Sequence, residues 1–155
     1  MSPAKSPLGD KIILLMEDNP VLGLEVAFAL EDEGAAVKGP VARLESGLEV
    51  LNGSVPDAAV LDVELADGEV FPLAERLRER GVPFVFYTAR GSEGHMRARA
   101  GDAPVISKSF GSATVIEALR ERIAAGAAAG STNGAGSANG TNGAGGASGT
   151  DGGSG

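Results

Sequence analysis

The chain alternates short apolar runs with stretches in which apolar residues recur at helical spacing. Strands are predicted at residues 11–16, 36–39, 58–62, 83–87 and 104–107. Helices are predicted at 20–33, 43–52, 69–80 and 112–125, with a weaker helical signal at 93–100. Strands and helices that alternate at these lengths predict an α/β domain, a doubly wound five-stranded parallel sheet with helices on both faces.

The third and fourth strands, "AAVLD" and "PFVFY", are apolar at nearly every position. Such strands are typical of the centre of a parallel sheet, where both faces are covered. Asn19 and Pro20 have the character of a helix cap and a first helical residue, so the first helix begins directly after the first strand. In sheets of this kind ligands bind beyond the carboxyl ends of the strands. The functional residues are therefore expected just after each strand.

Composition changes this interpretation at the ends of the chain. Of 155 residues, the last thirty, from Gly126, hold half of the glycines and one charged residue, Asp151. We expect an N-terminal extension at 1–9, one folded domain at 10–125 and a disordered tail at 126–155, because the tail offers almost nothing to bury.

The remaining composition excludes several classes of function. The chain has no cysteine and a formal charge of −8, which excludes disulfides and thiolate metal sites and disfavours binding to nucleic acid or to an anionic membrane. No segment approaches the ~20 apolar residues that span a bilayer. We therefore expect a cytoplasmic protein that contacts neither DNA nor a membrane.

Five polar residues follow the predicted strands. Glu17 and Asp18 follow the first strand, Asp62 the third, Thr88 the fourth and Lys108 the fifth. Three carboxylates at one sheet edge repel each other unless a cation neutralises them, and Mg²⁺ suits such oxygen ligands. A carboxylate nucleophile, a lysine charge and a hydroxyl donor beside Mg²⁺ form the parts of a phosphoryl-transfer site.

Four motifs in order resemble the receiver domain of bacterial two-component response regulators. They are "MEDNP", "AVLDVELADGEVFPLAERLR", "PFVFYTA" and "VISKSF", and the resemblance spans residues 10–125. It implies a flavodoxin-like (βα)5 fold with strand order 2-1-3-4-5. It also implies Mg²⁺ as cofactor, a histidine kinase or histidine phosphotransfer protein as phosphoryl donor, and no catalysis beyond the domain's own phosphorylation and dephosphorylation.

The resemblance also implies a role for each site residue. Asp62 is the expected phosphoacceptor, and Thr88 and Lys108 are expected to contact the phosphoryl group. The implied metal set comprises the acidic pair Glu17 and Asp18, together with Asp62 and the main-chain carbonyl of Glu64.

Three functions remain open at this stage. The domain is expected to act without a DNA-binding output domain, either as a phosphorelay intermediate or sink, or as a switch that binds a downstream protein. A small Mg²⁺-dependent phosphatase is the alternative, against which the lack of a second acid or base beside Asp62 argues. Phe110 and the first helix are expected to form the surface that docks the phosphotransfer partner.

Two departures from the family pattern and one pair of charged residues carry expectations of their own. Ser109 stands where the family usually has proline after the lysine, so we expect a trans Lys108–Ser109 bond. Val105 replaces the usual aromatic residue, which favours a relay or sink over a switch. Glu64 and Arg90 are expected to flank the pocket, either as a salt-bridged gate or as two solvated charges.

Other features have simpler interpretations. "DVELADG" is a poor match both to a calcium loop and to the opening of a haloacid dehalogenase-like site. His95 is expected to be an exposed polar residue. The arginines of "RERGV" and "HMRARA" lack an aromatic stacking platform beside them in sequence and are expected to lie on solvated faces.

Overall fold

The predicted parallel sheet is present, and its strands have the predicted order. The computed structural model describes residues 8–89 and 94–133. The strands are β1 Ile12–Met16, β2 Ala36–Val41, β3 Ala58–Leu61, β4 Glu64–Leu65, β5 Gly68–Glu69, β6 Phe84–Thr88 and β7 Val105–Ser107. The helices are α1 Pro20–Asp32, α2 Leu44–Gly53, α3 Phe71–Glu79, α4 Gly94–Ala100 and α5 Ser112–Asn133, with a 3₁₀ turn over Lys108–Phe110.

Five parallel strands form the main sheet in the order β2-β1-β3-β6-β7. Because β4 and β5 form a separate antiparallel ribbon, this order corresponds to the predicted 2-1-3-4-5. Every residue of β3 and β6 is buried, whereas β2 and β7 are only partly buried at the sheet edges. The continuous apolar runs did identify the central strands, since both of their faces must be covered.

Successive side chains of the central strands enter two different apolar clusters. Leu61 and Phe86 belong to the cluster covered by α2, α3 and α4, whereas Val60 and Tyr87 belong to the cluster covered by α1 and α5. This alternation follows from the two-residue repeat of a β-strand. Because both faces of the central strands are apolar, the polar side chains of these strands lie at their carboxyl ends.

Several boundaries differ by one or more residues from the predicted ones, and two of the differences have a clear cause. The third helix begins at Phe71 instead of residue 69, because Gly68–Glu69 pairs with Glu64–Leu65 in the ribbon. The last helix continues to Asn133 instead of ending at Ala125, and its added segment is rich in alanine, the strongest helix former. The chain divides into the units Met1–Ile123 and Ala124–Gly155. Residues 126–133 are helical and not disordered as predicted; residues 1–7 and 134–155 lie outside the described part, so the extension and the disorder of the remaining tail stay predictions.

Arg78, Arg80 and Arg99 are exposed, as expected, but each also makes a contact that the sequence did not indicate. Arg78 donates from Nη2 to the carbonyl at the end of α4, 2.9 Å away, and its Cζ lies 5.3 Å from the ring centre of Phe84. Arg80 donates to a carbonyl near the end of α2. Arg99 lies over the ring of Phe71, 4.1 Å from its centre. These side chains join neighbouring helices and cover buried rings while their charges reach solvent.

The start of α1 lies very close to β2. A Cβ atom on Gly23 would approach Cβ and Cγ of Pro40 to 2.7 Å and Cγ of Glu17 to 3.5 Å. The absence of a side chain at Gly23 therefore allows α1 to pack beside the acidic pair. Within the described residues, none of the helices has the length and apolar character that crossing a membrane requires.

We predict that Gly23→Ala lowers the free energy of unfolding by about 1 to 3 kcal/mol, because the clash with the rigid ring of Pro40 outweighs the gain in helix propensity. Gly53→Ala is the control, since a Cβ on Gly53 meets nothing within 4 Å. The control should leave stability unchanged or slightly raised. Urea denaturation of both variants measures the difference, and equal effects of the two substitutions would contradict the close-packing argument.

Candidate functional site

Main-chain hydrogen bonds hold Glu17 and Asp62 side by side at the carboxyl edge of the sheet. Met16 is paired in register with Leu61, so β1 and β3 end at the same level. The amide of Asp62 donates to the carbonyl of Met16 at 2.9 Å, and the amide of Glu17 donates to Val41 of β2 at 2.9 Å. Both acidic side chains are buried, with exposed fractions of 3% for Glu17 and 4% for Asp62.

Lys108 joins the two buried acids. Its Nζ lies 3.1 Å from Oε2 of Glu17 and 3.0 Å from Oδ2 of Asp62. The 3₁₀ turn after β7 carries this lysine to the pocket, and 21% of its side chain remains exposed. The sequence prediction that Glu17, Asp62 and Lys108 converge is therefore correct in the structure.

The acidic pair is also tied to the start of α1. Oε2 of Glu17 accepts a hydrogen bond from the amide of Asn19 at 3.0 Å. Oδ1 of Asn19 in turn accepts from the amides of Val21 and Leu22, as a helix cap should. The capping that the sequence predicted thus also fixes the orientation of the Glu17 carboxylate.

Three carboxylates form a group that fits a divalent cation. Glu17, Asp18 and Asp62 each offer one oxygen, and these oxygens lie within 4.8 Å of one another. Asp18 is exposed whereas the other two are buried, so an ion held here would keep a side open to water. Hard oxygen donors with surplus negative charge and access to water suit Mg²⁺, which usually retains several of its waters.

The charges in the pocket shift the pKa of two groups. Burial, and then the neighbouring charge of Glu17, raise the pKa of Asp62 to about 7, although Lys108 opposes this effect. Burial lowers the pKa of Lys108, but its hydrogen bonds to Asp62 and Glu17 and their charges outweigh burial and raise it. The pKa of Asp62 therefore lies close to neutral pH, whereas Lys108 stays charged.

Thr88 is the last residue of β6 and only 2% exposed. It pairs in register with Ser107, the residue before Lys108, so it stands at the same sheet edge as the predicted site. Tyr87 precedes it and is 1% exposed. Within the described residues, the Tyr87 hydroxyl is a buried side-chain group without a hydrogen-bond partner.

The remaining predicted residues have mixed outcomes. Glu64 is exposed, and its carboxylate is not in the acidic group, so the role of its main-chain carbonyl stays a prediction. The cis peptide bond found among the described residues is Gly39–Pro40; the Lys108–Ser109 bond is trans, as predicted. Arg90 and the side chain of His95 lie outside the described part, so the gate and the exposure of His95 stay predictions.

The structure adds one residue whose structural role the sequence did not indicate. Asp67, in the turn between β4 and β5, accepts hydrogen bonds from the amides of Leu44 and Glu45 at the start of α2. Asp67 is followed by Gly68, and an Asp-Gly pair in a sequence is typical of a simple turn. No local pattern connects it to a helix more than twenty residues earlier.

Comparison with known proteins identifies relatives over most of the chain. The family model described as the response regulator receiver domain matches residues 13–120. The transcriptional regulatory protein CseB of Streptomyces coelicolor is 32% identical over 111 residues, which cover 70% of this chain and 47% of that protein. The chain thus spans about half the length of the curated relatives it matches.

Solved structures show the same fold. A response regulator receiver protein from Sinorhizobium medicae has a TM-score of 0.67 and 27% identity, covering 76% of this chain and 97% of that one. The receiver domain of the Pseudomonas aeruginosa sensor histidine kinase PA1611 has a TM-score of 0.66 and 25% identity, covering 75% and 99%. That structure holds a magnesium ion coordinated in its active-site cleft.

We predict that the metal-free protein loses stability as the pH rises from about 4 to about 7. The pKa of Asp62 is 3.8 in the unfolded chain and about 7 in the folded one, so the folded state binds the proton more tightly and raising the pH favours unfolding. A shift of this size corresponds to a loss on the order of 4 kcal/mol. Asp62→Asn should remove this loss.

Urea denaturation in EDTA across this pH range measures the effect. Added Mg²⁺ should restore stability at neutral pH in the wild type, because the ion favours the ionised acid. A pH dependence that is the same in wild type and Asp62→Asn would show that Asp62 does not cause it.

Proposed function

Because the chain belongs to the response regulator receiver domain family, we propose that it accepts a phosphoryl group from a phosphohistidine onto Asp62 in a Mg²⁺-dependent reaction. The observation that carries this proposal is the contact of Lys108 with both Glu17 and Asp62, at 3.1 and 3.0 Å. It brings a nucleophilic carboxylate, a phosphate-binding cation and an acidic metal pocket into one place.

The proposed step transfers the phosphoryl group between two side chains. A carboxylate oxygen of Asp62 attacks the phosphorus, so that an O–P bond forms and the P–N bond to the donor imidazole breaks. The bonding electrons go to the imidazole nitrogen, which then takes up a proton. Because such transfers depend mainly on positioning and charge neutralisation, a rigid pocket rich in fixed charges suits the reaction.

Each side chain of the pocket has a proposed part in this step. The Lys108 ammonium binds a phosphoryl oxygen and offsets its charge, and the Thr88 hydroxyl donates to another. Glu17 and Asp18 hold the metal together with Asp62 and the Glu64 carbonyl. When bound, Mg²⁺ would neutralise the charge shared by the acceptor carboxylate and the phosphoryl oxygens.

The proposed output is contact with another protein. The formal charge of −8 disfavours direct contact with nucleic acid, although CseB, the relative of which this chain spans about half, is named a transcriptional regulator. Val105 is aliphatic, whereas the family usually has at this position an aromatic side chain that moves inward when the threonine moves toward the phosphoryl group. The absence of this aromatic side chain favours a phosphorelay intermediate or sink over a switch. In this proposal the protein is cytoplasmic and passes phosphoryl groups between other proteins.

An exposed apolar surface next to the pocket suits the docking of the phosphoryl donor. Val21, Leu24 and Phe28 are 76%, 49% and 61% exposed along α1, and Phe110 is 69% exposed in the turn after Lys108. The α1 residues recur every three or four positions and so share one side of the helix. We name this set the α1 surface and propose that it contacts the donor protein.

We predict that Asp62→Ala abolishes phosphorylation. Purified protein would be incubated with the radiolabelled histidine kinases of its source organism, with Mg²⁺ or with EDTA. Wild type should gain label only with Mg²⁺. Asp102→Asn is the control, because Asp102 is an exposed acid that pairs with Arg122 away from the pocket, and it should be labelled like wild type. Label that persisted in Asp62→Ala would overturn the assignment.

We predict that Phe110→Ala slows phosphotransfer by about tenfold. In the complex with the donor this ring would become buried, and an aromatic side chain buried at an interface contributes roughly 1 to 2 kcal/mol to binding. Val55→Ala is the matched control: Val55 is 50% exposed but precedes β3, at the other end of the sheet. Transfer rates from the cognate donor measure the effect. If the two variants are equally fast, the α1 surface does not dock the donor.

A further inference from the structure

Helix α2 is capped by a residue from another part of the chain. Its own N-cap residue, Arg43, makes no side-chain capping hydrogen bond. Oδ1 of Asp67 instead accepts from the amide of Leu44 at 2.5 Å, and Oδ2 accepts from the amide of Glu45 at 3.1 Å. A carboxylate is favoured there because it satisfies amides that lack partners within the helix and lies at the positive end of the helix dipole.

The segment that carries Asp67 begins at the phosphoacceptor. After Asp62, the chain forms the β4–β5 ribbon, which is closed at its base by a hydrogen bond from the amide of Val70 to Val63 at 2.9 Å. At its tip, the amide of Ala66 donates to Ala42 at 3.0 Å. Together with the two bonds of Asp67, this contact fixes the tip of the ribbon to the start of α2.

The same connection before α2 also holds Glu17. The carbonyl of Val41, at the end of β2, accepts the hydrogen bond from the amide of Glu17 at 2.9 Å. A continuous series of contacts therefore connects Asp62 with Glu17. It runs from Asp62 along the ribbon to Asp67, from Asp67 to the start of α2, and from there back to the end of β2, which binds Glu17. Lys108 closes this series by contacting Glu17 and Asp62. These contacts therefore form a closed series in which Asp67 joins the ribbon to α2.

We propose that Asp67 is a positioning residue of the metal pocket: by capping α2, it holds the loop that follows Asp62, and with it the main chain of Glu64, at a fixed distance from Glu17. This inference rests on the proposed function, since it assumes that the pocket binds Mg²⁺. The ion demands nearly ideal octahedral geometry, so ligands that shift relative to each other bind it less tightly. Loss of an outer residue that orients ligands typically weakens metal binding by about 10- to 100-fold.

The test compares two aspartates that make the same type of bond at opposite ends of the sheet. Asp57 accepts from the amide of Ile12 at 2.7 Å through Oδ2, at the start of β1 and far along that strand from the pocket. Mg²⁺ binding would be measured by calorimetric titration. Asp67→Ala should bind Mg²⁺ about tenfold more weakly than wild type, whereas Asp57→Ala should bind it like wild type. Asp67→Asn, which keeps one acceptor oxygen, should lie between.

A second measurement needs no metal. Amide hydrogen exchange at Glu17 in EDTA should be faster in Asp67→Ala than in wild type and unchanged in Asp57→Ala, because Asp67 helps to support the segment that accepts the Glu17 hydrogen bond, whereas Asp57 bonds at the start of β1. If Asp67→Ala does not fold, Asp67→Asn decides, with smaller changes in the same directions.

The outcomes separate the two hypotheses. A wild type that does not bind Mg²⁺ would refute the proposed function, and hydrogen exchange would still decide whether Asp67 positions Glu17. A wild type that binds Mg²⁺, with Asp67→Ala equal to it in affinity and exchange, would refute the role of Asp67 alone. Equal losses in Asp67→Ala and Asp57→Ala would reduce Asp67 to a general contribution to stability.

Discussion

The pocket depends on the single ammonium group of Lys108, which lies between two buried carboxylates at 3.1 and 3.0 Å. Burial of Glu17 and Asp62 side by side would be strongly unfavourable without a cation between them. The lysine comes 91 and 46 residues later in the chain, so only the completed sheet can bring it there. Among the described residues, the pocket thus combines three carboxylates, including that of Asp18, with one ammonium, and this surplus of negative charge suits a divalent cation.

The sequence predicted this arrangement well because the relevant information is local. Each polar residue of the site follows directly on an apolar run, and parallel strands bring their carboxyl ends to one edge. The central strands were recognisable because burial on both faces leaves no polar alternation. Asn19 and Pro20 likewise mark the start of α1 through neighbouring residues alone, which is why the sequence is sufficient to assign the acidic pair to the sheet edge.

Two features that the sequence did not indicate involve partners distant in the chain. Asp67 before Gly68 has the character of a turn, yet its carboxylate caps α2, 22 and 23 residues earlier. Arg99 is exposed as expected, but its contact with Phe71 was not predicted, because that ring is near it only in the folded state. The end of α5 differs for another reason: alanine and glycine alternate there with opposed helix propensities, so composition alone does not define the last turn.

Tyr87 gives the domain an optical property. The chain has one tyrosine and no tryptophan, so tyrosine absorption and fluorescence in the near ultraviolet come from this single ring. The ring is buried, its hydroxyl has no hydrogen-bond partner within the described residues, and Thr88 is the next residue along β6. The wavelength and intensity of that band therefore report the polarity of one place beside the pocket, and the folded domain carries a natural spectroscopic probe that needs neither a dye nor an added tryptophan.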